Sequence, residues 1–230
     1  MNTNCGIFSI KYLNIKKTMH SKFITELNPD CFYHIFNHSN GKENIFKLQD
    51  EYNIFLEKFK QYISPIAETF SYCLLPNHFH FLIKIKEKDD LLLLFKINPI
   101  LLSTCQVEKI IQIKLSQQFS NFFNSYTKKH NLRNERKGSL FCRQFKRKEI
   151  TSTSYLIDLV NYIHNNPVHH LLVETPYDWQ HSSFHAFNCN KKTSLQKQAV
   201  LEWFGGYNSF LEVHKTIEAK YNEISFDIWE

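Results

Sequence analysis

YCLLPNHFHFLIKIK, residues 72–86, has the pattern of two β-strands joined by a turn at Pro76-Asn77. After this turn the residues alternate in character, and side chains alternate between the two faces of a strand. Phe79, Phe81, Ile83 and Ile85 form an apolar row on one face, which we expect to be buried. His78 and His80 share the other face. We therefore expect both imidazoles on the side of the sheet opposite the core, where two nitrogens can bind one cation.

The His-Phe-His pattern also has a simpler explanation. Two histidines two residues apart are compatible with the half-exposed side of an ordinary sheet, because short motifs often occur by chance. The pattern alone leaves both interpretations open.

The flanking sequence predicts alternating strands and helices. The predicted elements are strands over 31–39, 69–75 and 78–86, helices over 48–63, around 111–126 and over 151–167, an irregular connection over 87–102 and an extended segment over 140–150. The last of these helices is expected to end at Pro167. This order predicts an α+β fold in which helices cover one sheet. We assign residues 1–29 to an N-terminal leader, 30–190 to the main domain and 191–230 to a C-terminal helical extension broken at Gly205-Gly206.

The composition favours a polyanionic partner. The formal net charge is +6 over 230 residues, and the sequence pI is about 8.9. The six cysteines include no CxxC pair, which argues against a zinc knuckle or a disulfide framework. The N-terminus lacks a signal-peptide pattern, and no apolar run is long enough to cross a bilayer. We expect a cytoplasmic protein with no membrane partner.

The helix predicted over 151–167 carries polar groups beside its apolar face. Its apolar residues are Leu156, Leu159, Val160 and Ile163. Tyr162 points away from the centre of that face, and Asp158 and Asn166 lie one turn to either side of it. Such a tyrosine can reach into a cleft, although a tyrosine at a core boundary is the commoner arrangement.

A cluster of cations precedes this helix. It consists of Arg133, Arg136, Lys137, Arg143, Lys146, Arg147 and Lys148. Phe141 and Phe145 lie between them, a combination that suits binding to phosphates and stacking on bases of single-stranded DNA. A solvated charged loop is the alternative.

Several of these segments together resemble one protein family. LLPNHFHFLI resembles the His-hydrophobic-His strand of the HUH single-strand nucleases, as it occurs in single-tyrosine transposases. GSLFCRQFKRKEI, YLIDLVNYIHNNPV and YDWQHSSFHAF then resemble, in the same order, later segments of the REP-associated tyrosine transposases. FYHIFNHSNGKENIF fits the opening strand of that group. The resemblance extends from about Cys31 to Phe187.

The resemblance implies a ferredoxin-like α+β fold, a divalent metal (Mg²⁺ or Mn²⁺) and cleavage of single-stranded DNA beside a hairpin. By position it assigns His78 and His80 as metal ligands, Asn166 as a third ligand and Tyr162 as the nucleophile. Tyr162 would form a 5′-phosphotyrosine intermediate and release a 3′-hydroxyl.

Some alternatives stay open at this point. The connection between the histidine strand and the tyrosine helix is long, which makes Tyr126 a rival nucleophile, although its place on an apolar stripe predicts a core residue. A catalytically idle or domesticated hairpin-binding regulator and a metal-dependent hydrolase that uses water are the competing functions. The sequence leaves monomer and homodimer equally open.

Overall fold

The computed structural model describes residues 25–189 and 191–215. At its centre is a four-stranded antiparallel sheet in the order β2-β3-β1-β4. The strands are β1 (Phe32–His38), β2 (Ala67–Leu75), β3 (His78–Ile85) and β4 (Lys146–Ile150). The helices in the described part are α1 (Gln49–Tyr62), α2 (Lys88–Phe95), α3 (Thr104–Arg133), α4 (Thr153–His169), α5 (Phe184–Phe187), α6 (Lys197–Trp203) and α7 (Tyr207–Lys215). Strand order and direction are those of a ferredoxin-like α+β fold, as predicted.

The hairpin of β2 and β3 places the two histidines at the centre of the sheet. Leu75 pairs with His78, so Pro76-Asn77 forms the predicted turn. β3 lies between β1 and β2, and His80 faces Phe36 of β1. Because both neighbouring strands hold β3 by backbone hydrogen bonds, the side chains that it presents are fixed in position.

The first core lies under the apolar face of β3. The four predicted residues, Phe79, Phe81, Ile83 and Ile85, are all buried here. Phe59 of α1 stacks on Phe81 with ring centroids 4.1 Å apart, and Phe55 lies 4.9 Å from Phe122 of α3. α1 and α3 therefore form the layer that covers this face.

A second core covers the opposite face of the sheet, which corrects one prediction. Leu159 and Ile163 of α4 are fully buried there against Leu82 of β3. The histidine face is consequently not a solvated side, and His78 and His80 are 3% and 0% exposed. Alternation along a strand shows which residues share a face, but it does not show whether another layer covers that face.

Two further predictions differ from the structure. Residues 87–102, expected to be irregular, contain α2 and a 3-10 turn at Pro99–Leu101. α4 does not end at Pro167 but continues to His169. A proline removes one hydrogen-bond donor from a helix interior. Pro167 lies in the last turn and is buried, so packing holds the final residues in helical form.

The C-terminal segment adds to the second core. α6 and α7 are separated at Gly205-Gly206, as predicted, and both glycines have positive φ (74° and 115°). Val200 and Phe210 are fully buried in the second core. Of the predicted leader, residues 1–24 lie outside the described residues, and Leu27 packs in the first core. In the described part of the chain, no helix combines the length and apolar character needed to cross a membrane.

Candidate active site

His78 and His80 meet α4 in the buried layer between β3 and that helix. Their ring centroids are 5.3 Å apart, and the ring planes are nearly perpendicular. Burial lowers the pKa of His78 to about 3, although its hydrogen bond to Asn166 opposes this shift. Burial lowers the pKa of His80 well below its ordinary value, and the neighbouring imidazoles add to the effect. Both rings are therefore neutral, which is the form that binds metal ions.

Asn166 joins His78 to Tyr162. His78 Nε2 lies 2.9 Å from Asn166 Oδ1, and the Tyr162 side chain is hydrogen-bonded to Asn166. The other ring nitrogen, His78 Nδ1, lies 2.7 Å from Asn77 Oδ1. Because residues 162 and 166 are one helical turn apart, α4 presents both groups to the histidine pair, Asn166 to His78 and Tyr162 to His80.

Tyr162 is buried beside the second histidine. It is 1% exposed, and its ring centroid lies 5.5 Å from that of His80 in an edge-to-face arrangement. Burial raises the pKa of its hydroxyl well above the ordinary range, and the hydrogen bond from Asn166 only partly offsets this. The phenol is neutral at physiological pH. The four residues predicted to form the centre of the site, Tyr162, His78, His80 and Asn166, lie together.

The donor set is compatible with a divalent metal. When His78 Nδ1–H donates to Asn77, His78 Nε2 and Asn166 Oδ1 are two electron-pair donors facing each other. A cation bound by both atoms would remove this mismatch. Rotation of the Asn166 amide by a half-turn would also remove it, because Nδ2–H would then donate to His78 Nε2. Among the described residues, no three His, Cys, Asp or Glu side chains are grouped to hold a metal. A metal here would have two imidazoles and one amide oxygen as its protein ligands.

His34 belongs to this cluster, and the sequence interpretation missed it. It lies on β1, is 1% exposed, and its Nε2 is 2.9 Å from His80 Nδ1. Burial, and to a smaller extent the charge of Lys148, lowers the pKa of His34 to about 3. The contact engages His80 Nδ1, so Nε2 is the nitrogen that His80 can present to a metal. The alternation of β1 places His34 and Phe36 on one face, but only the strand pairing shows that this face is the histidine face.

Two more histidines lie where α4 ends. The ring centroid of His170 is 4.7 Å from that of His78, and the ring of His169 lies 6.3 Å from that of Tyr162. His170 is exposed, whereas His169 is partly buried. The end of α4 therefore forms the border between the buried cluster and solvent.

The seven predicted DNA-binding cations occupy three different environments. Lys146 and Lys148 of β4 lie opposite Phe36 and His34, on the histidine face of the sheet. Lys148 Nζ donates to the Tyr155 hydroxyl on α4 at 3.0 Å. Lys146 lies 5.8 Å from the ring of Phe36. These two lysines carry positive charge close to the cluster.

Arg147, the residue between them, points to the other face of the sheet. Its guanidinium lies 4.8 Å from the Phe145 ring, and its Nε donates to the carbonyl of Thr25. Arg133 forms an ion pair with Asp50, and Arg136 binds Glu43 through two nitrogens. These three arginines make contacts within the fold.

The remaining two cations, Lys137 and Arg143, are exposed on the connection between α3 and β4. Both are therefore accessible to a polyanion. The structure thus places two of the seven beside the cluster and two more on the surface.

Comparison with known proteins identifies the family. No protein-family model matches the chain. A protein of Haemophilus influenzae that is described as a REP-associated tyrosine transposase is 31% identical over 139 residues, which cover 60% of this chain and 71% of the relative. The chain belongs to the REP-associated tyrosine transposase family. A solved structure of a REP-associated tyrosine transposase bound to a REP hairpin matches with a TM-score of 0.52 at 19% identity, over 73% of this chain and 84% of that one, which supports the fold.

Two tyrosines of this member of the REP-associated tyrosine transposase family were candidates for the nucleophile, and their environments differ. Tyr126 lies in the first core, across the sheet from His78 and His80. It is 1% exposed, and its hydroxyl donates to the carbonyl of Ile45 at 2.9 Å. Tyr126 is therefore a core residue that is remote from the histidine pair, whereas Tyr162 lies beside it.

Proposed function

We propose that this protein is a metal-dependent transposase that cleaves single-stranded DNA beside a hairpin by covalent catalysis, with Tyr162 as the nucleophile. The observation that supports the proposal best is the meeting of Tyr162, Asn166 and the histidine pair between β3 and α4. The family relationship supports the same reaction class. Hairpin DNA as the substrate is supported by the hairpin bound to the matching solved transposase.

The proposed reaction is a transesterification. The Tyr162 hydroxyl oxygen attacks the scissile phosphorus, and the bond from phosphorus to the 3′ oxygen breaks. The products are a 5′-phosphotyrosine and a free 3′-hydroxyl, which receives the proton that the phenol loses. One phosphodiester replaces another, so the reverse reaction can join the DNA to a new 3′ end. Asn166 orients the phenol through its hydrogen bond.

His78, His80 and Asn166 are the residues that would hold the metal. Their nitrogen and oxygen donors suit Mn²⁺, and Mg²⁺ would bind with additional water ligands. When bound, the metal would supply positive charge that polarises the phosphate and stabilises the transition state. His34 would position His80 by holding its Nδ1.

DNA has to open this site before cleavage. Tyr162 and His80 are 1% and 0% exposed, so a phosphate cannot touch either group in the conformation described. The half-buried residues that border the cluster, His169, Lys146 and Lys148, are the ones that DNA would displace. Binding and cleavage are consequently separate steps, and loss of the nucleophile should leave binding intact.

The burial of the nucleophile also favours a second candidate function. A protein that binds DNA hairpins without cutting them, as a catalytically idle or domesticated regulator, would tolerate a closed site. It would use the same exposed cations, Lys137 and Arg143, but would form no covalent intermediate.

A cleavage assay separates the two functions. A labelled hairpin with single-stranded flanks is incubated with protein and Mg²⁺ or Mn²⁺, and covalent adducts are resolved on a denaturing gel. We expect an adduct with the wild type and with Tyr126→Phe, and none with Tyr162→Phe, whose hairpin affinity should stay within about threefold of the wild type because the phenol is buried. Tight hairpin binding without any adduct would favour the regulator. Cleavage that survives Tyr162→Phe would indicate a water nucleophile.

A further inference from the structure

The chain leaves α4 through a hydrogen-bonded reversal beside the candidate site. The Leu172 amide donates to the Pro167 carbonyl and the Leu171 amide donates to the Val168 carbonyl, both at 2.9 Å. This pair of bonds is the Schellman motif, which satisfies carbonyls at the end of a helix. The motif requires a left-handed residue at the position that Leu171 occupies, and its φ is 55°.

Leucine is a poor residue for that position. The left-handed conformation brings a side chain close to its own backbone, so glycine is the usual residue there. Among the described non-glycine residues with positive φ, Leu171 is the one whose side chain is apolar. It is also 91% exposed, so packing inside the fold does not compensate for the strain. Leu172, the next residue, is 44% exposed.

The strained leucine lies at the border of the candidate site. It directly follows His169 and His170, whose rings contact those of Tyr162 and His78. Backbone strain of this kind is enriched at active sites and ligand-binding positions. DNA that reaches Tyr162 by displacing His169 would come close to Leu171, two residues further along the chain.

We propose that Leu171 is an apolar wedge that packs against the terminal base pair at the foot of the DNA hairpin. The inference rests on the proposed function, because it assumes that hairpin DNA enters this site. Apolar side chains of this size stack on or between base pairs in many DNA complexes. The contact would fix the distance from the base of the stem to Tyr162 and thereby select the phosphate beside the hairpin.

The surroundings favour DNA over a protein partner. A protein-binding patch would extend over many apolar residues, whereas the exposed apolar side chains at this turn are Leu171 and Leu172, preceded by His169 and His170. Lys146 and Lys148 add positive charge on the histidine face of the sheet. Leu171 projects furthest into solvent of this pair of leucines, and such a side chain beside imidazoles and lysines suits a stacked base pair with phosphates on either side.

Fluorescence can test the wedge without cleavage. The probe is a hairpin with a single-stranded flank that carries 2-aminopurine in the terminal base pair, measured with EDTA present. The wild type should change the emission of this probe and should bind the hairpin more tightly than the flank alone. Leu171→Gly should weaken hairpin binding about tenfold, because the complex loses the burial of one leucine side chain against DNA. It should also abolish the emission change. Its melting temperature should nevertheless rise by about 2–4 °C, because glycine relieves the strain.

Two further variants isolate the side chain. Leu171→Ala keeps the strained backbone, but its side chain is too short to contact the terminal base pair. It should therefore weaken hairpin binding without a rise in melting temperature. Leu132→Ala removes a leucine that is 84% exposed on α3 and should leave hairpin binding unchanged. Wild-type emission change and affinity in Leu171→Gly would overturn the wedge while leaving the transposase proposal intact. Dissociation of a dimer by Leu171→Gly would also overturn it in favour of a second copy, and absence of any hairpin preference in the wild type would refute both proposals.

Discussion

Acid should destabilise the protein through a buried pair of histidines that joins α4 to α7. His164 Nδ1 lies 2.9 Å from His214 Nε2, and His164 Nε2 lies 2.7 Å from Ser183 Oγ. At the far end, His214 Nδ1 donates to the Phe210 carbonyl at 2.7 Å. His214 Nε2 must then accept from His164, and His164 Nε2 must accept from Ser183. Both rings are neutral in this network. A second proton on His214 Nε2 would face the His164 Nδ1–H donor, and a second proton on His164 Nε2 would force the Ser183 hydroxyl to turn to the Tyr72 carbonyl, 3.2 Å away.

The size of the effect follows from the pKa of His214. Burial lowers this pKa from 6.5 to about 4 in the folded protein. Between these values the unfolded chain binds more protons than the folded chain, so the free energy of unfolding falls as the pH falls. Near pH 5 the difference is about 1.5 pKa units, which corresponds to about 2 kcal/mol. Burial also lowers the pKa of His164, so its contribution has the same sign.

Urea unfolding near pH 7.5 and near pH 5 tests this prediction. The wild type should lose more than about 2 kcal/mol of unfolding free energy between the two conditions, because His214 contributes about 2 kcal/mol and His164 adds to it. His214→Gln keeps a hydrogen-bond acceptor but cannot titrate, so its loss should be smaller by about 2 kcal/mol. His214→Phe should show the same reduced pH dependence but should cost about 1–3 kcal/mol near pH 7.5, because His164 Nδ1–H loses its acceptor. An equal pH dependence in wild type and His214→Gln would refute the reasoning.

Further predictions concern the candidate site. Tyr126→Phe should lower the free energy of unfolding by about 1 kcal/mol through loss of the bond to Ile45, with adduct formation unchanged in the gel assay. His34→Gln should reduce the adduct yield about 10- to 100-fold at limiting Mn²⁺, because His34 positions His80, and a metal titration measures this. Lys148→Gln should weaken hairpin binding and reduce its salt dependence by about one counterion, whereas Arg133→Gln should change it little because Arg133 is paired with Asp50. Fluorescence anisotropy at several salt concentrations distinguishes these two variants.

Each of these predictions has a contradicting result. Loss of the adduct in stably folded Tyr126→Phe would move the nucleophile to the other face of the sheet. Wild-type metal dependence in His34→Gln would limit that residue to packing. An equal salt dependence for wild type and Lys148→Gln would exclude a phosphate contact at Lys148.

The alternation of residues 78–85 predicted the first core correctly, because the strand has one fully apolar face and that face carries Phe79 and Phe81. The same pattern could not show that α4 covers the other face, since that depends on a helix that begins 68 residues after β3 ends (153 − 85). His34 was missed for a similar reason. Its contact with His80 depends on the pairing of β1 with β3, and the spacing of residues within either strand does not predict that pairing.

The helix that carries Tyr162 shows both the value and the limit of local patterns. Its apolar positions and the spacing of Tyr162 and Asn166 placed the two polar residues together, as observed. Its end was predicted wrongly, because Pro167 was treated as a stop signal while tertiary packing holds the last turn. Leu171 could not be recognised from sequence either, because its strain becomes visible only when the backbone angle is known.

Mapping the site of covalent attachment tests the central claim most directly. The protein is incubated with a flanked hairpin and Mn²⁺, digested, and analysed by tandem mass spectrometry for peptides that carry a nucleotide. Attachment at Tyr162, absent in Tyr162→Phe, is the predicted result. Attachment at any other residue, or a folded protein that binds the hairpin and forms no adduct, would contradict the account.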